Sequence, residues 1–332
     1  MKKLINNVEN VLDEALAGIC AAHPQHVKKL ENVNVLVRTD GPVKGKVALV
    51  SGGGSGHEPL DGGYVGKGML DAAVAGAIFT SPTPDQIYEA IKAADSGNGV
   101  LIIILNYTGD IMNFEMAKDM VEMEGIKVDT VIVNDDVAVE NSTYTAGRRG
   151  IAGTIFINKI AGAAAESRRS LEEVKAVTQK AIDNVRSMGM ALSSCIVPAS
   201  GKPIFEIGED EMEIGMGVHG EPGIRREKIK SADEIVNELM SKILDDMKLA
   251  SGDEVAVLVN GLSSTPLIEL YIINNRVSQI LKEKGVKTHK TFVGEYMTSL
   301  EMAGFSISLL KLDAELKELF DAPADSPALK VL

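Results

Sequence analysis

The sequence predicts an α/β protein of two domains, each a mostly parallel or mixed sheet flanked by helices. Three observations carry that prediction. Short continuous apolar runs recur along the 332 residues and end in Gly, Asn or Ser, as strands covered on both faces do. Longer stretches between them show helical apolar spacing behind capping signals. The length suits two ordinary domains, and 45% hydrophobic with 24% charged residues is enough for cores without disulfide or metal staples.

Taken in order, the strand runs are Val47–Ser51, Val100–Leu105, Thr130–Asn134, Glu254–Asn260 and Phe305–Leu312. Thr83-Pro84-Asp85-Gln86 predicts a helix start, with an N-cap, a Pro at the first helical position and a capping-box Gln. Ser170-Leu-Glu-Glu173 and Ser231-Ala-Asp-Glu234 are two further capping boxes. Leu171, Val174, Val177, Ala181, Val185 and Met188 then share one helical face. Thr265-Pro266 opens another helix, which Gly285 ends. The alternation pauses over the glycine- and turn-rich residues 186–232. The boundary is therefore set at Gly189: residues 1–188 as the N-terminal domain and 189–332 as the C-terminal domain.

Composition excludes several functions. A net charge of −13 opposes nucleic-acid binding, and the absence of Trp with only 4% aromatics leaves little for base stacking. Cys20 and Cys195 stand in no motif spacing, which points to a reducing compartment. The N-terminal segment carries Asn, Glu and Asp where a signal peptide is apolar, and no uncharged run is long enough for a membrane span. The expected location is the cytoplasm.

Three segments can carry chemistry. Ser51-Gly-Gly-Gly-Ser-Gly-His57 follows a strand, and its small residues let backbone N–H groups approach a ligand. It lacks the Lys-Ser/Thr ending of a Walker loop and the spacing of a dinucleotide fingerprint. His57 at its end is a candidate acid or base. Asn106-Tyr-Thr-Gly-Asp110 also follows a strand, so it should share a rim with the glycine loop; Asp110 is either a site carboxylate or a helix cap. In Gly215-Met-Gly-Val-His219-Gly-Glu-Pro-Gly223 a histidine stands among glycines, suited to carbonyl attack, phosphate transfer or metal binding. His23, His26 and His289 read as surface residues. Asp135-Asp136 imitates a magnesium pair but is read as a solvated loop or cap, and Arg148-Arg149 as a surface ion pair. Asn260–Pro266 is read as interface rather than site.

SGGGSGHEP, FTSPTPDQI, NYTGD, NSTYTAGRRG, GVHGEPGI, NGLSSTPLIELY and TSLEMAGFSISLLKLD, in this order from one end to the other, resemble the dihydroxyacetone kinase K-domain family. The resemblance implies a homodimer of two-domain α/β subunits. It implies that His219 forms a hemiaminal with the C2 carbonyl of dihydroxyacetone, and that Gly54, Ser55, Gly56, His57 and Asp110 contact the substrate. His57 is then expected to accept the hydroxyl proton, and Asp110 to orient that hydroxyl or share the proton. The chain has no region matching the nucleotide-binding domain of the single-chain kinases, so it resembles the K subunit of a three-part system. There ADP and Mg sit on a separate L subunit, and an M subunit recharges that ADP from the phosphoenolpyruvate phosphotransferase relay. No metal or nucleotide is expected on this chain. Leu105 departs from the pattern, since close relatives often have lysine there; it is read as contributing only backbone. Two other readings stay open: a dihydroxyacetone-binding transcriptional coactivator, and a carrier phosphorylated on His219.

Overall fold

Six apolar residues in succession at Val100–Leu105 find cover on both faces only in the middle of a sheet, and the computed structural model, which describes residues 2–332, puts them there. The first sheet contains β1 (Val27–Lys29), β2 (Val35–Arg38), β3 (Ala48–Ser55), β4 (Ala72–Ile78), β5 (Val100–Leu105) and β6 (Val128–Val133). Their order is β1-β2-β4-β3-β5-β6, with β4, β3, β5 and β6 parallel and β1 and β2 antiparallel at one side. The second sheet holds β7 (Val185–Ala191), β8 (Glu211–Ile214), β9 (Arg225–Lys228), β10 (Glu254–Gly261), β11 (Lys287–Gly294) and β12 (Gly304–Leu312). Its order is β11-β10-β12-β7-β8-β9, and only β10 and β11 run parallel.

The helices are α1 (Val11–Ala22), α2 (Pro84–Ala94), α3 (Thr108–Glu122), α4 (Thr154–Glu166), α5 (Leu171–Asp183), α6 (Ala232–Met247), α7 (Leu267–Glu283) and α8 (Ala314–Asp321). Strand alternation sorts the core. In β5, Val100, Ile102 and Ile104 face Ile87, Ile91 and Phe114 of α2 and α3. Leu101, Ile103 and Leu105 face a central layer with Phe156 and Ile160 of α4. Ala256 and Leu258 of β10 reach the same layer, while Val255, Val257 and Val259 face α6 and α7. The two sheets thus share α4, which is buried from Thr154 through Ala165 and apolar almost all round, as a helix between two sheets must be.

Several local readings change. The glycines are not all loop: Gly52, Gly53 and Gly54 continue β3 beside β4. A Cβ at Gly52 would stand 2.4 Å from the Val74 carbonyl, so only glycine permits that pairing. Thr83 precedes α2 without a side-chain cap bond, whereas Ser170 and Ser231 form complete capping boxes. Val185 and Met188 leave the α5 face and enter β7, which runs through Gly189. Asp135 is not solvated. It is buried and accepts from the backbone N–H groups of Ile151 (2.8 Å) and Gly153 (2.9 Å). Arg149 is not a surface residue: it is 0% exposed and paired with buried Asp136, donating from Nε at 2.8 Å.

A candidate active site between the two sheets

β3 and β5 are parallel neighbours, so the segments after them emerge at one rim. From β3 the chain delivers His57, and from β5 it delivers Tyr107 and, in the first turn of α3, Asp110. The loop after β8 (Glu211–Ile214) supplies His219 from the second sheet. The His57 and His219 rings meet with their Nε2 atoms 3.0 Å apart.

The partners of each ring fix its tautomer. His57 Nδ1 lies 2.7 Å from the Thr298 carbonyl, which can only accept, so Nδ1 carries the hydrogen. His219 Nδ1 lies 3.0 Å from Glu221 Oε1, and the His219 backbone N–H donates to Glu221 Oε2 at 2.9 Å. In the neutral rings both Nε2 atoms therefore present lone pairs to each other, and one hydrogen between them satisfies both. Burial, and then the charge of His219, pushes His57 down to about 3. Burial would raise Glu221, but the hydrogen bonds from His219 and the charges of His219 and Arg149 outweigh it and hold the carboxyl at about 2.

The rings are held by packing as well. Phe79 stacks on His57 at 4.8 Å and 14°, and Tyr107 stands edge-on to His219 at 4.9 Å. Phe79 (φ 56°) and Leu300 (φ 49°) adopt left-handed backbone that bulky residues rarely take. Both crowd Gly56 (φ 101°), where an added Cβ would stand 2.9 Å from the Phe79 ring. Strained backbone of this kind collects at functional sites.

A small cavity at this meeting point is lined by Gly54, His57, Leu105, Asp110 and His219, joined by Asp61 and Tyr107. Ser55 and Gly56 do not line it. The Ser55 hydroxyl donates to the Gly76 carbonyl at 2.7 Å, and Gly56 N–H donates to the Glu58 carboxylate at 3.1 Å. Leu105 lines the cavity, and its side chain packs in the central layer. Asp110 is 6% exposed, and burial pushes its carboxyl up to about 6 against the lowering contributions of Ser81 and His219. A larger cavity of about 430 Å³ lies beneath α1, lined by Leu12, Leu16 and Ile19, and shares Gly53, Gly54, His57 and Asp61 with the small one. Among the described residues, no three His, Cys, Asp or Glu side chains are grouped to hold a metal ion, and no helix is long and apolar enough to cross a membrane.

Sequence reasoning named His57, His219 and Asp110 but passed over Glu221, Phe79, Asp61 and the Thr298 carbonyl. Glu221 had a local signal, an acid two residues after a glycine-flanked histidine. Thr298 had none, since backbone carbonyls leave no mark on residue type.

The Dak1 domain model matches residues 17–328. Over 329 residues the chain is 53% identical to the dihydroxyacetone-binding subunit DhaK of PTS-dependent dihydroxyacetone kinase 1 from Listeria innocua, covering 99% of this chain and 100% of that one. The native crystal structure of the dihydroxyacetone kinase of C. freundii superposes with a TM-score of 0.90 at 32% identity. It covers 99% of this chain, which spans only 60% of that kinase. The dihydroxyacetone kinase operon co-activator Dha-DhaQ superposes with a TM-score of 0.89 at 36% identity, covering 95% and 97% of the two chains. The chain belongs to the Dak1 domain family, together with the dihydroxyacetone-binding subunits of dihydroxyacetone kinases.

Proposed function

We propose that this chain is the dihydroxyacetone-binding subunit of a phosphoenolpyruvate-dependent kinase of the cytoplasm, and that it holds its substrate as a hemiaminal on His219 Nε2. The observation that carries this reading is the Nε2 pair at 3.0 Å, with both Nδ1 hydrogens committed elsewhere. A lone pair on His219 Nε2 is then free to attack a carbonyl carbon. As the C–N bond forms, the C=O π pair moves to oxygen, which takes up a proton from water, and the Nε2 lone pair that burial keeps free on His57 accepts from the new hydroxyl. The alkylated ring becomes cationic, and buried Glu221 compensates that charge. Glycerol has no electrophilic carbon and gains nothing from this step.

Capture fixes the triose so that a terminal hydroxyl can meet the phosphoryl donor in line. The donor is ATP formed from the ADP held with Mg on a partner L subunit and recharged through an M subunit. Of the two candidate bases for the hydroxyl proton, Asp110, at about 6, is better matched to neutral pH than His57, at about 3. Asp110 can thus share with His57 the role of accepting that proton, and His57 also serves adduct formation. A homodimer is supported by the face of α7, where Leu267, Ile268, Tyr271 and Ile272 are 49–71% exposed. Tyr271→Asp should shift the mass seen by light scattering to that of a monomer.

The test is reconstitution. The chain is mixed with dihydroxyacetone, an ADP-loaded L subunit and the phosphoenolpyruvate relay, with ATP alone as the parallel donor. Dihydroxyacetone phosphate formed only with the relay supports the three-part kinase. Bound substrate without product under either donor supports the coactivator, and phosphate on His219 itself supports the carrier.

A further inference from the structure

The turn after His57 runs Glu58-Pro-Leu-Asp61-Gly-Gly-Tyr64 and folds tightly. Gly63 N–H donates to the Pro59 carbonyl at 3.0 Å, and Tyr64 N–H to the Asp61 carbonyl at 2.9 Å. Asp61 takes left-handed backbone (φ 57°, ψ −80°), a costly state for a side-chain-bearing residue outside a functional site. Asp61 lines the small cavity together with His57, Asp110 and His219. Its Oδ2 lies beside Gly53, where a Cβ would stand 3.7 Å away, an ordinary contact.

Asp61 is 8% exposed, and among the described residues its Oδ1 has no hydrogen-bond partner. Buried carboxyls with structural roles in this protein look different. Asp71 is paired with Lys46 and Arg38 and accepts from Leu49 N–H, and Asp135 accepts from two backbone N–H groups. An unmet buried oxygen costs free energy with no packing return. Asp110 in the same cavity also has an unpartnered Oδ1. Two open carboxyl oxygens therefore border the space beside His219 Nε2.

We propose that Asp61 is a further substrate-binding residue, which takes the terminal hydroxyl of the captured triose opposite the one met by Asp110. This rests on His219 as the carbonyl-capturing residue. Dihydroxyacetone carries one hydroxyl on each side of its carbonyl, and attachment at the central carbon sends them apart toward the two acids. Burial, with Asp110 and Glu58 adding to it and Ser51 opposing, pushes Asp61 up to about 7. The match holds in either state, because a hydroxyl donates to a carboxylate and accepts from a carboxylic acid. A ligand with a single hydroxyl leaves one acid unmet, so Asp61 sets a preference for ketones hydroxylated on both sides.

The experiment compares dihydroxyacetone with hydroxyacetone, each labelled with ¹³C at the carbonyl, and follows the labelled carbon from trigonal to tetrahedral by NMR. The proteins are the unaltered chain, Asp61→Ala and the isosteric Asp61→Asn. The unaltered chain should prefer dihydroxyacetone roughly tenfold or more. In Asp61→Ala that preference should fall to about twofold, the advantage of two equivalent hydroxyls for one remaining acid. Asp61→Asn should retain most of it. The ratio of two ligands on one sample does not depend on how much of a variant is folded. An unchanged ratio in Asp61→Ala, or equal losses for both ligands, would overturn the proposal while leaving His219 capture intact. No tetrahedral carbon with the unaltered chain would overturn capture and the proposal together.

Discussion

Glu221→Gln isolates the part of the site that holds the proposed nucleophile, His219. Glu221 is 2% exposed and makes two contacts with His219, to Nδ1 at 3.0 Å and from the backbone N–H at 2.9 Å. Its carboxyl lies at about 2, against an ordinary value of 4.5. A difference of that size corresponds to about 3 kcal/mol of preference for the charged over the neutral form. Glutamine imitates the neutral form and turns an amide donor toward one of two donors. The cation formed on the alkylated ring needs the carboxylate most, so up to about a hundredfold of adduct affinity should be lost. The ¹³C titration with dihydroxyacetone reads this directly. The depressed value also ties Glu221 to stability, in a share present above about pH 4.5 and lost as pH falls through about 2. Thermal melts at neutral pH should thus show some loss as well. Adduct affinity equal to that of the unaltered protein would refute the claim that Glu221 arms His219.

Other expectations follow from the same geometry. His219→Ala should abolish the tetrahedral carbon signal and bring dihydroxyacetone and glycerol to similar weak binding by calorimetry, and a retained adduct would exclude capture on this ring. Arg149→Met leaves Asp136 buried without its cation, which should cost about 3–5 kcal/mol in urea unfolding. That loss should shrink as pH falls toward 6, because burial pushes Asp136 up to about 6 even against Arg149 and further without it, so that protonation removes the stranded charge. Asp61 is raised, so its contribution to stability is full below about pH 4 and lost as pH rises through about 7. Asp61→Asn never ionises, so its melting temperature should gain on the unaltered protein between pH 4.5 and 8, and a constant difference would speak against a titrating Asp61.

The fold was readable where pattern is local. Val100–Leu105 could be only a covered strand, and Ser170 and Ser231 announced their helices through reciprocal bonds spanning four residues. The shared rim of His57 and Asp110 followed from two strands ending in polar motifs. What stayed hidden depends on contacts distant in sequence. Arg148-Arg149 looks like surface charge until Asp136 and the Gly215 carbonyl enclose Arg149. Asp61 resembles any turn aspartate, since Asp-Gly is common in turns, and only its enclosure beside His219 sets it apart. Leu105 continues an apolar run, and only its place at the end of β5 shows that it both packs in the central layer and lines the cavity.

The last stretch of chain does not stay with the second sheet. After β12 it crosses back: α8 sets Leu316, Leu319 and Phe320 against the layer of Phe156 and Ile160, and its Leu319 carbonyl accepts from Lys159 Nζ at 2.7 Å. Asp325 N–H then donates to the Lys67 carbonyl at 2.8 Å, and Ala328 N–H to the Gly63 carbonyl at 2.8 Å, directly behind Asp61. During synthesis, the ribosome releases the glycine strand and His57 long before the segment that braces them. The nascent first half must wait with an uncovered α4 until residues 314–331 emerge. Folding of the pocket thus waits for residues 314–331, and chaperone contacts on a nascent chain stalled before them should concentrate on α4.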